Sequence, residues 1–284
     1  MPQGSLVETA QIVGVSGYGP GMPNQTSWCD GPIVAFDLET TGTDRHRDRI
    51  VKAAVVVIPP QATGRRKPDP RRWLADPGVE IPVQTTEIHG VTTEQARREG
   101  QPAAEVVTQV AEHLADVWTA EVPLCAFNAT FDLTLLNAEL RRHHSRSLSL
   151  GGPVVDPLGI DLHLDPGRVG ERRLRNVCDH YRVALVQAHD EVEDALAAAR
   201  LAWRLAKKHP DEVGLVALAE LHQWQAEWFR ARKTEFADRK DQQARSREAN
   251  GHDPIEVAGL RALAKHARAE ARLWPLLPEP AADT

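Results

Sequence analysis

The sequence is short of cysteine and of positive charge, and it has no long apolar run. Its three cysteines, Cys29, Cys125 and Cys178, stand far apart. They form neither a CxxC metal site nor a disulfide framework, so the expected setting is reducing and cytoplasmic. No apolar stretch approaches the roughly 20 residues that cross a bilayer, and no membrane partner is expected. The opening MPQGSLVETA lacks a basic stretch followed by an apolar one, so it does not read as a secretory leader. No segment repeats at a fixed period. The formal net charge of -6 excludes a protein that holds nucleic acid by bulk electrostatics alone. Any such binding must be local or metal-assisted.

What is present is an ordinary soluble composition, 42% hydrophobic and 26% charged over 284 residues. That leaves room for one substantial domain and an extension. Residues 1 to about 30, rich in Gly, Pro, Ser, Gln and Asn, read as a flexible tail. From Gly31 the pattern predicts strands at Ile33–Phe36, Ile50–Ile58 and Val79–Val83, with a loop running to about Arg72. Val106, Val110 and Leu114 share one face of a helix between Pro102 and Val117. A strand at Val122–Phe127, a helix at Phe131–Arg142, a strand at Pro153–Val155 and helices at Arg172–Tyr181 and Glu191–Lys208 follow. The fold class is therefore α/β, a mixed sheet flanked by helices. The domain is expected to run from 31 to 209. Residues 210–284, rich in Ala, Arg, Glu and Gln, predict a helical C-terminal extension divided near Gly251–Pro254.

Three short blocks carry chemistry. In Phe36-Asp37-Leu38-Glu39-Thr40-Thr41-Gly42, period-two alternation puts Asp37 and Glu39 on one face of a strand end. Their repulsion would be relieved by a divalent cation, although a strand end with two solvated acids has the same pattern. In Asn128-Ala129-Thr130-Phe131-Asp132, Asn128 reads as an N-cap that puts Asp132 in the first helical turn, where the helix dipole also favours an acid. In His189-Asp190-Glu191-Val192-Glu193-Asp194, Asp190 and Glu193 have capping-box spacing. His189 and Asp194 then take the two positions a hydrophobic staple brings together, which sets an imidazole beside a carboxylate.

In this order and on these elements, the blocks resemble the DEDDh exonuclease family, over about residues 31 to 209. Ile88-His89-Gly90-Val91-Thr92 and Leu174-Arg175-Asn176-Val177-Cys178 agree with it. One departure is Phe127, where many members have His. The resemblance implies a ribonuclease H-like fold and two divalent metal ions, Mg²⁺ or Mn²⁺. It implies Asp37, Glu39, Asp132 and Asp194 as ligands, with Asp37 bridging the ions, and His189 as general base. A Tyr at that position would mark the sister subfamily. It also implies Thr40, Thr41, His89, Asn128 and Phe131 near the terminal nucleotide, although core packing explains Phe131 equally well and helix capping could explain His89. Asp156, before Pro157, reads as a turn residue rather than a fifth ligand.

The expected activity is 3′→5′ hydrolysis of DNA to nucleoside 5′-monophosphates, in proofreading or repair, with single-stranded 3′ ends as partner. Trimming of RNA 3′ ends is the alternative within the same chemistry. A non-catalytic binding module or polymerase-docking module is the alternative outside it. For the extension, packing of its Trp residues against the catalytic domain is the leading expectation. Docking of a polymerase or other protein, or guidance of nucleic acid by Arg232, Lys233, Arg239 and Lys240, are its rivals. Those cations are interleaved with Glu235, Asp238 and Asp241, which predicts a salt-bridged helix face.

Overall fold

The computed structural model describes residues 27–60, 67–186 and 188–279. Its elements in chain order are β1 (Ile33–Thr40), β2 (Ile50–Ile58), β3 (Asp69–Asp76), α1 (Val83–His89), α2 (Thr93–Glu99), β4 (Gln101–Pro102), α3 (Ala103–Val117) and β5 (Leu124–Cys125). They continue with α4 (Ala129–His144), β6 (Val154–Val155), α5 (Pro157–Leu164), α6 (Leu174–Tyr181), α7 (Glu191–Lys208), α8 (Leu218–Ala249) and α9 (Pro254–Glu270). The sheet order is β4-β3-β2-β1-β5-β6. β1 and β3 run antiparallel to β2, and β5 and β6 join β1 as parallel strands.

β1 is buried on both faces because helices cover both. Ile33 and Ala35 pack with Ala54, Val56 and the Ala195, Ala198, Leu201, Ala202 and Leu205 stripe of α7. Val34 and Phe36 pack instead with Val106, Val110 and Leu114 of α3 and Leu133, Leu136 and Leu140 of α4. A central strand with two covered faces reads as a continuous apolar run, which is what Ile33–Phe36 shows.

Two expectations need correction. Val79–Val83 is not a strand: Val79 and Val83 are exposed, and Val83 opens α1. The third strand is Asp69–Asp76, in the stretch read as loop. Beyond β2 it pairs only with the two-residue β4, so the half of β3 past that pairing is an edge. An edge tolerates Pro70 and exposed Arg71 and Arg72, which hide the strand signal. The expected tail lies outside the described residues up to position 26. The folded body includes Trp28–Asp30, a 3₁₀ turn whose Trp28 indole donates to the Val213 carbonyl at 2.8 Å.

The extension covers the other edge of the sheet. Gln225 of α8 substitutes for a neighbouring strand: its Nε2 donates to Val154 O at 2.9 Å and its Oε1 accepts from Asp156 N at 2.7 Å. His222 Nδ1 accepts from Val154 N. A sheet edge buried without such partners would leave backbone groups unsatisfied. Trp224 and Trp228 pack against the α7-side core and Trp274 against the α3/α4 side. Further along, α8 meets α9 through Ala237, Ala264 and Ala267, small residues that allow close approach. Arg268 pairs there with Asp238 and Asp241, both at 2.8 Å. No helix of the described residues is long and apolar enough to cross a membrane.

Candidate active site

Because Ile33 and Ala35 belong to the core layer beneath α7, alternation carries Asp37 and Glu39 onto that same face. The β1–β2 register shifts between Glu39 and Thr40, so the regular ladder breaks directly after the acidic pair. Such irregularities re-aim side chains and recur beside functional sites.

α4 brings the third acid. Asp132 lies buried in its first turn, and its Oδ1 accepts from the Leu38 N–H at 3.1 Å, between Asp37 and Glu39 in the chain. Asn128 holds the N-cap position but not by the expected side-chain bond. Its backbone is left-handed (φ 64), a region Asn tolerates better than most residues, and its Oδ1 accepts from Thr130 Oγ1. Its N–H donates to Asp156 Oδ1 at 2.9 Å. Asp156 itself caps α5 by accepting from Leu158 N, and burial pushes its carboxyl up to about 6.

α7 brings the fourth acid and the histidine. Asp190 caps the helix, accepting from Val192 N and Glu193 N, both at 3.1 Å. His189 is left-handed (φ 67), and its N–H donates to Asp194 Oδ2 at 3.1 Å. Ligand atoms of Glu39, His189 and Asp194 all lie within 4.8 Å of one another. Asp37 and Asp132 stand outside that tight trio. They are nonetheless close enough to perturb it electrostatically: Asp37 is acted on by Asp132, Glu39 and Asp194 together.

The electrostatics are those of an overcrowded acidic site. Burial, then Asp132, Glu39, Asp194 and Glu191, hold the Asp37 carboxyl well above its ordinary range. Burial and Asp194 push Glu39 up to about 8, against the pull of Lys52. Burial also raises Asp132 and Asp194. Asp194 Oδ1 is buried with no hydrogen-bond partner among the described residues. Clustered hard oxygens, an unpartnered carboxylate oxygen and acids that resist ionising together fit divalent cations such as Mg²⁺ or Mn²⁺.

The residues expected near the terminal nucleotide divide. Thr40 and Thr41 have spent their hydroxyls internally, on Gly42 O at 2.6 Å and Asp48 Oδ1 at 2.8 Å. Phe131 is half-buried and packs against the core. His89, at the end of α1, is buried. Its Nδ1 accepts from Val91 N, while its Nε2 is buried with no hydrogen-bond partner among the described residues. Thr92, not His89, caps α2.

The sequence reading missed the braces. Arg72 of β3 grips Asp190 with two hydrogen bonds, at 3.1 and 3.0 Å, and reaches Glu191 at 3.5 Å. Lys52 of β2 pairs with Glu191 at 3.3 Å and donates to His89 O at 3.1 Å. Both tie the start of α7 to the sheet. A lone Lys inside the Val-rich β2 run was a readable signal; Arg72 was hidden in the stretch read as loop.

A family model described as exonuclease, of the RNase T type, matches residues 34–202, more than half of the chain. The PolC-type DNA polymerase III of Oceanobacillus iheyensis is 30% identical over 178 residues, which is 62% of this chain and 11% of that relative. The chain thus spans only about a tenth of the length of such relatives. Among solved structures, E. coli exonuclease I in complex with a dT13 oligonucleotide aligns with a TM-score of 0.51 at 18% identity, covering 63% of this chain and 42% of that one. The zinc-bound form of the same enzyme with single-stranded DNA gives 0.52 at 18%, covering 64% and 42%. That likeness supports the ribonuclease H-like fold. With the family model matching across the whole acidic constellation, the chain belongs to the DEDDh exonuclease family, nucleases of the hydrolase class.

Proposed function

We propose that this chain is a metal-dependent 3′→5′ exonuclease acting on single-stranded DNA ends and releasing nucleoside 5′-monophosphates. The observation that carries the reading is the convergence of four carboxylates and one imidazole from β1, α4 and the start of α7, with the carboxyl pKa values raised by burial and by neighbouring acids. Asp37, Glu39, Asp132 and Asp194 would hold a pair of divalent ions. When bound, such ions stabilise charge on a phosphodiester and acidify the attacking water. His189 takes the proton from that water at a ring nitrogen, a role that suits an imidazole near neutral pH. Its backbone bond to Asp194 fixes where the ring begins. His89 Nε2 and the Thr40 backbone are the groups left to meet the terminal sugar, since both Thr hydroxyls are occupied. DNA is favoured over RNA as substrate by the likeness to a DNA polymerase III and to a nuclease solved with a dT13 oligonucleotide.

The test is digestion of matched single-stranded DNA and RNA oligonucleotides, labelled at either end, with Mg²⁺, with Mn²⁺ and with chelator. Metal-dependent shortening from the 3′ end, faster on DNA, is expected. Faster RNA shortening would move the substrate to RNA, and absence of cleavage from a folded protein would defeat the reading.

The braces give a second expectation. Arg72→Ala should lower kcat about 10–100-fold, the usual cost of loosening the support around a metal site, because it frees the helix start that carries His189 and Asp194, with KM little changed. Because Arg72 is half-exposed, Tm should hardly move, and Arg72→Lys should restore part of the rate. A kcat equal to that of the unaltered chain would show that the anchored α7 start does not position the chemistry.

A further inference from the structure

On α8, Phe229, Arg232, Lys233, Phe236 and Arg239 recur at helical spacing and therefore share one stripe. Phe229 and Phe236 on such a stripe would ordinarily mark a core face. Here the stripe lines a cleft of about 330 Å³, closed on its other side by Arg45, by Asn128 and Thr130 at the start of α4, and by the Asp156 end of β6. The extension therefore builds one wall of a cleft whose opposite wall belongs to the catalytic domain.

The cleft is cationic in a chain whose net charge is negative. Arg45 and Lys233 share a single carboxylate, Glu270, with His266 as a third claimant. Among the described residues Arg239 pairs only with Glu235 of its own helix, and it is more than half exposed. Arg232 is half-buried and makes no hydrogen bond or contact ion pair among the described residues; the Asp156 carboxylate acts on it only through space, against the burial that lowers its pKa. A phosphate would give this guanidinium the direct, charge-assisted partner it lacks. The one acid lining the cleft, Asp156, is buried and already accepts from two backbone N–H groups.

Position decides what the anion is. Asn128 precedes Asp132 by four residues, about 6 Å along the helix axis, so the cleft opens beside the acidic site. The stripe from Phe229 to Arg239 extends it by roughly 15 Å. A polyanion that entered the active site by its end would lie along this path.

We propose that the cleft between α8 and the starts of α4 and α5 is the track for the nucleotides that follow the terminal one. Phosphates lie on Arg45, Arg232 and Arg239, over a floor containing Phe229 and Phe236. This rests on the exonuclease reading for its direction, and it gives the extension a role beyond packing. Backbone contacts of this kind are independent of sequence and weaken with salt.

The experiment uses the full chain and fluorescence anisotropy of labelled dT20 and dT4 in Ca²⁺, across a salt series, with kcat/KM for both lengths in Mg²⁺. The variants are Arg232→Gln with Arg239→Gln, Arg239→Gln alone, and Lys265→Gln as an exposed charge control outside the cleft. Loss of two phosphate contacts should flatten the slope of log K against log salt by about 1.4 for dT20, and loss of one by about 0.7. The double variant should bind dT20 about tenfold more weakly, and the ratio of kcat/KM for dT20 over dT4 should fall by a similar factor. The exposed Arg239→Gln keeps the test alive if Arg232→Gln impairs folding. Affinity and slope matching those of Lys265→Gln would overturn the track, as would an unaltered chain that binds both lengths equally. If binding responds as expected but nothing is hydrolysed, the track stands and the catalytic reading falls.

Discussion

Asp37→Asn is expected to cost at least about a thousandfold in single-turnover hydrolysis while raising the melting temperature of the metal-free chain. The rate loss follows from position. Asp37 is the acid acted on by Asp132, Glu39 and Asp194 at once, so its loss disturbs the whole acidic cluster that would hold metal. Lewis-acid stabilisation is worth several kcal/mol, and each 1.4 kcal/mol is about a factor of ten. The stability gain follows from the same crowding. Burial and neighbouring acids raise the folded-state carboxyls above their unfolded values, so without metal the folded state binds more protons than the unfolded state. Stability must then fall as pH rises, in a window from about 4, the ordinary carboxylate value, to about 8, set by Glu39. Replacing Asp37 by a neutral isostere removes one of the repelling charges and should flatten that fall, at about 2–4 °C in Tm per kcal/mol relieved. Added Mg²⁺ should stabilise the unaltered chain at pH 8 and the variant much less. Thermal unfolding in chelator at pH 5 and pH 8, with and without Mg²⁺, measures all of this. A chelated chain that gained stability between pH 5 and pH 8, or a variant within tenfold of full activity, would show that these acids are not a metal cradle.

The placement of the candidate acids was legible because its geometry is local. Asp37 and Glu39 needed only the period of a strand, and Asp132 and Asp194 needed only a helix start. Ile33–Phe36 was readable because burial on both faces leaves an unbroken apolar run, and α7 because its buried residues recur at helical spacing. What failed was whatever depends on distant partners. β3 pairs along one edge with β2 and on the other only at Ala75 and Asp76, so nothing demanded apolar residues at Pro70, Arg71 and Arg72. β5 and β6 are two residues each, shorter than their apolar surroundings promised, and α8 takes over the outer edge of β6. That replacement is done by Gln225, a residue whose role appears only when Val154 and Asp156 are set beside it across some seventy residues of chain. Arg72 and Asp190 are likewise 118 residues apart. Sequence period could place Asp190 at a helix start but could not say which strand would hold it.

His189→Asn should slow the chemical step by about 10²–10⁴-fold, the range usual for loss of a general base, while leaving fold and metal binding in place. Asparagine is the informative substitute because position 189 has φ 67, a left-handed backbone that Asn adopts readily and Ala does not. An alanine at 189 would mix backbone strain with lost chemistry. The backbone N–H to Asp194 survives either change, so Asp194 stays oriented and Tm with Mg²⁺ should match that of the unaltered chain. Asn can hydrogen-bond to a water but cannot accept its proton. Two readings of the imidazole therefore separate. If His189 is the base, the loss does not depend on how much metal is supplied. The variant is then slow at every Mg²⁺ concentration, and KM stays near its original value. If His189 serves chiefly as a third ligand beside Glu39 and Asp194, as their 4.8 Å grouping would permit, the variant should instead need far more Mg²⁺ and recover its rate when the ion is raised. Single-turnover rates at two Mg²⁺ concentrations decide between them. Full recovery at high Mg²⁺ would remove His189 from proton transfer.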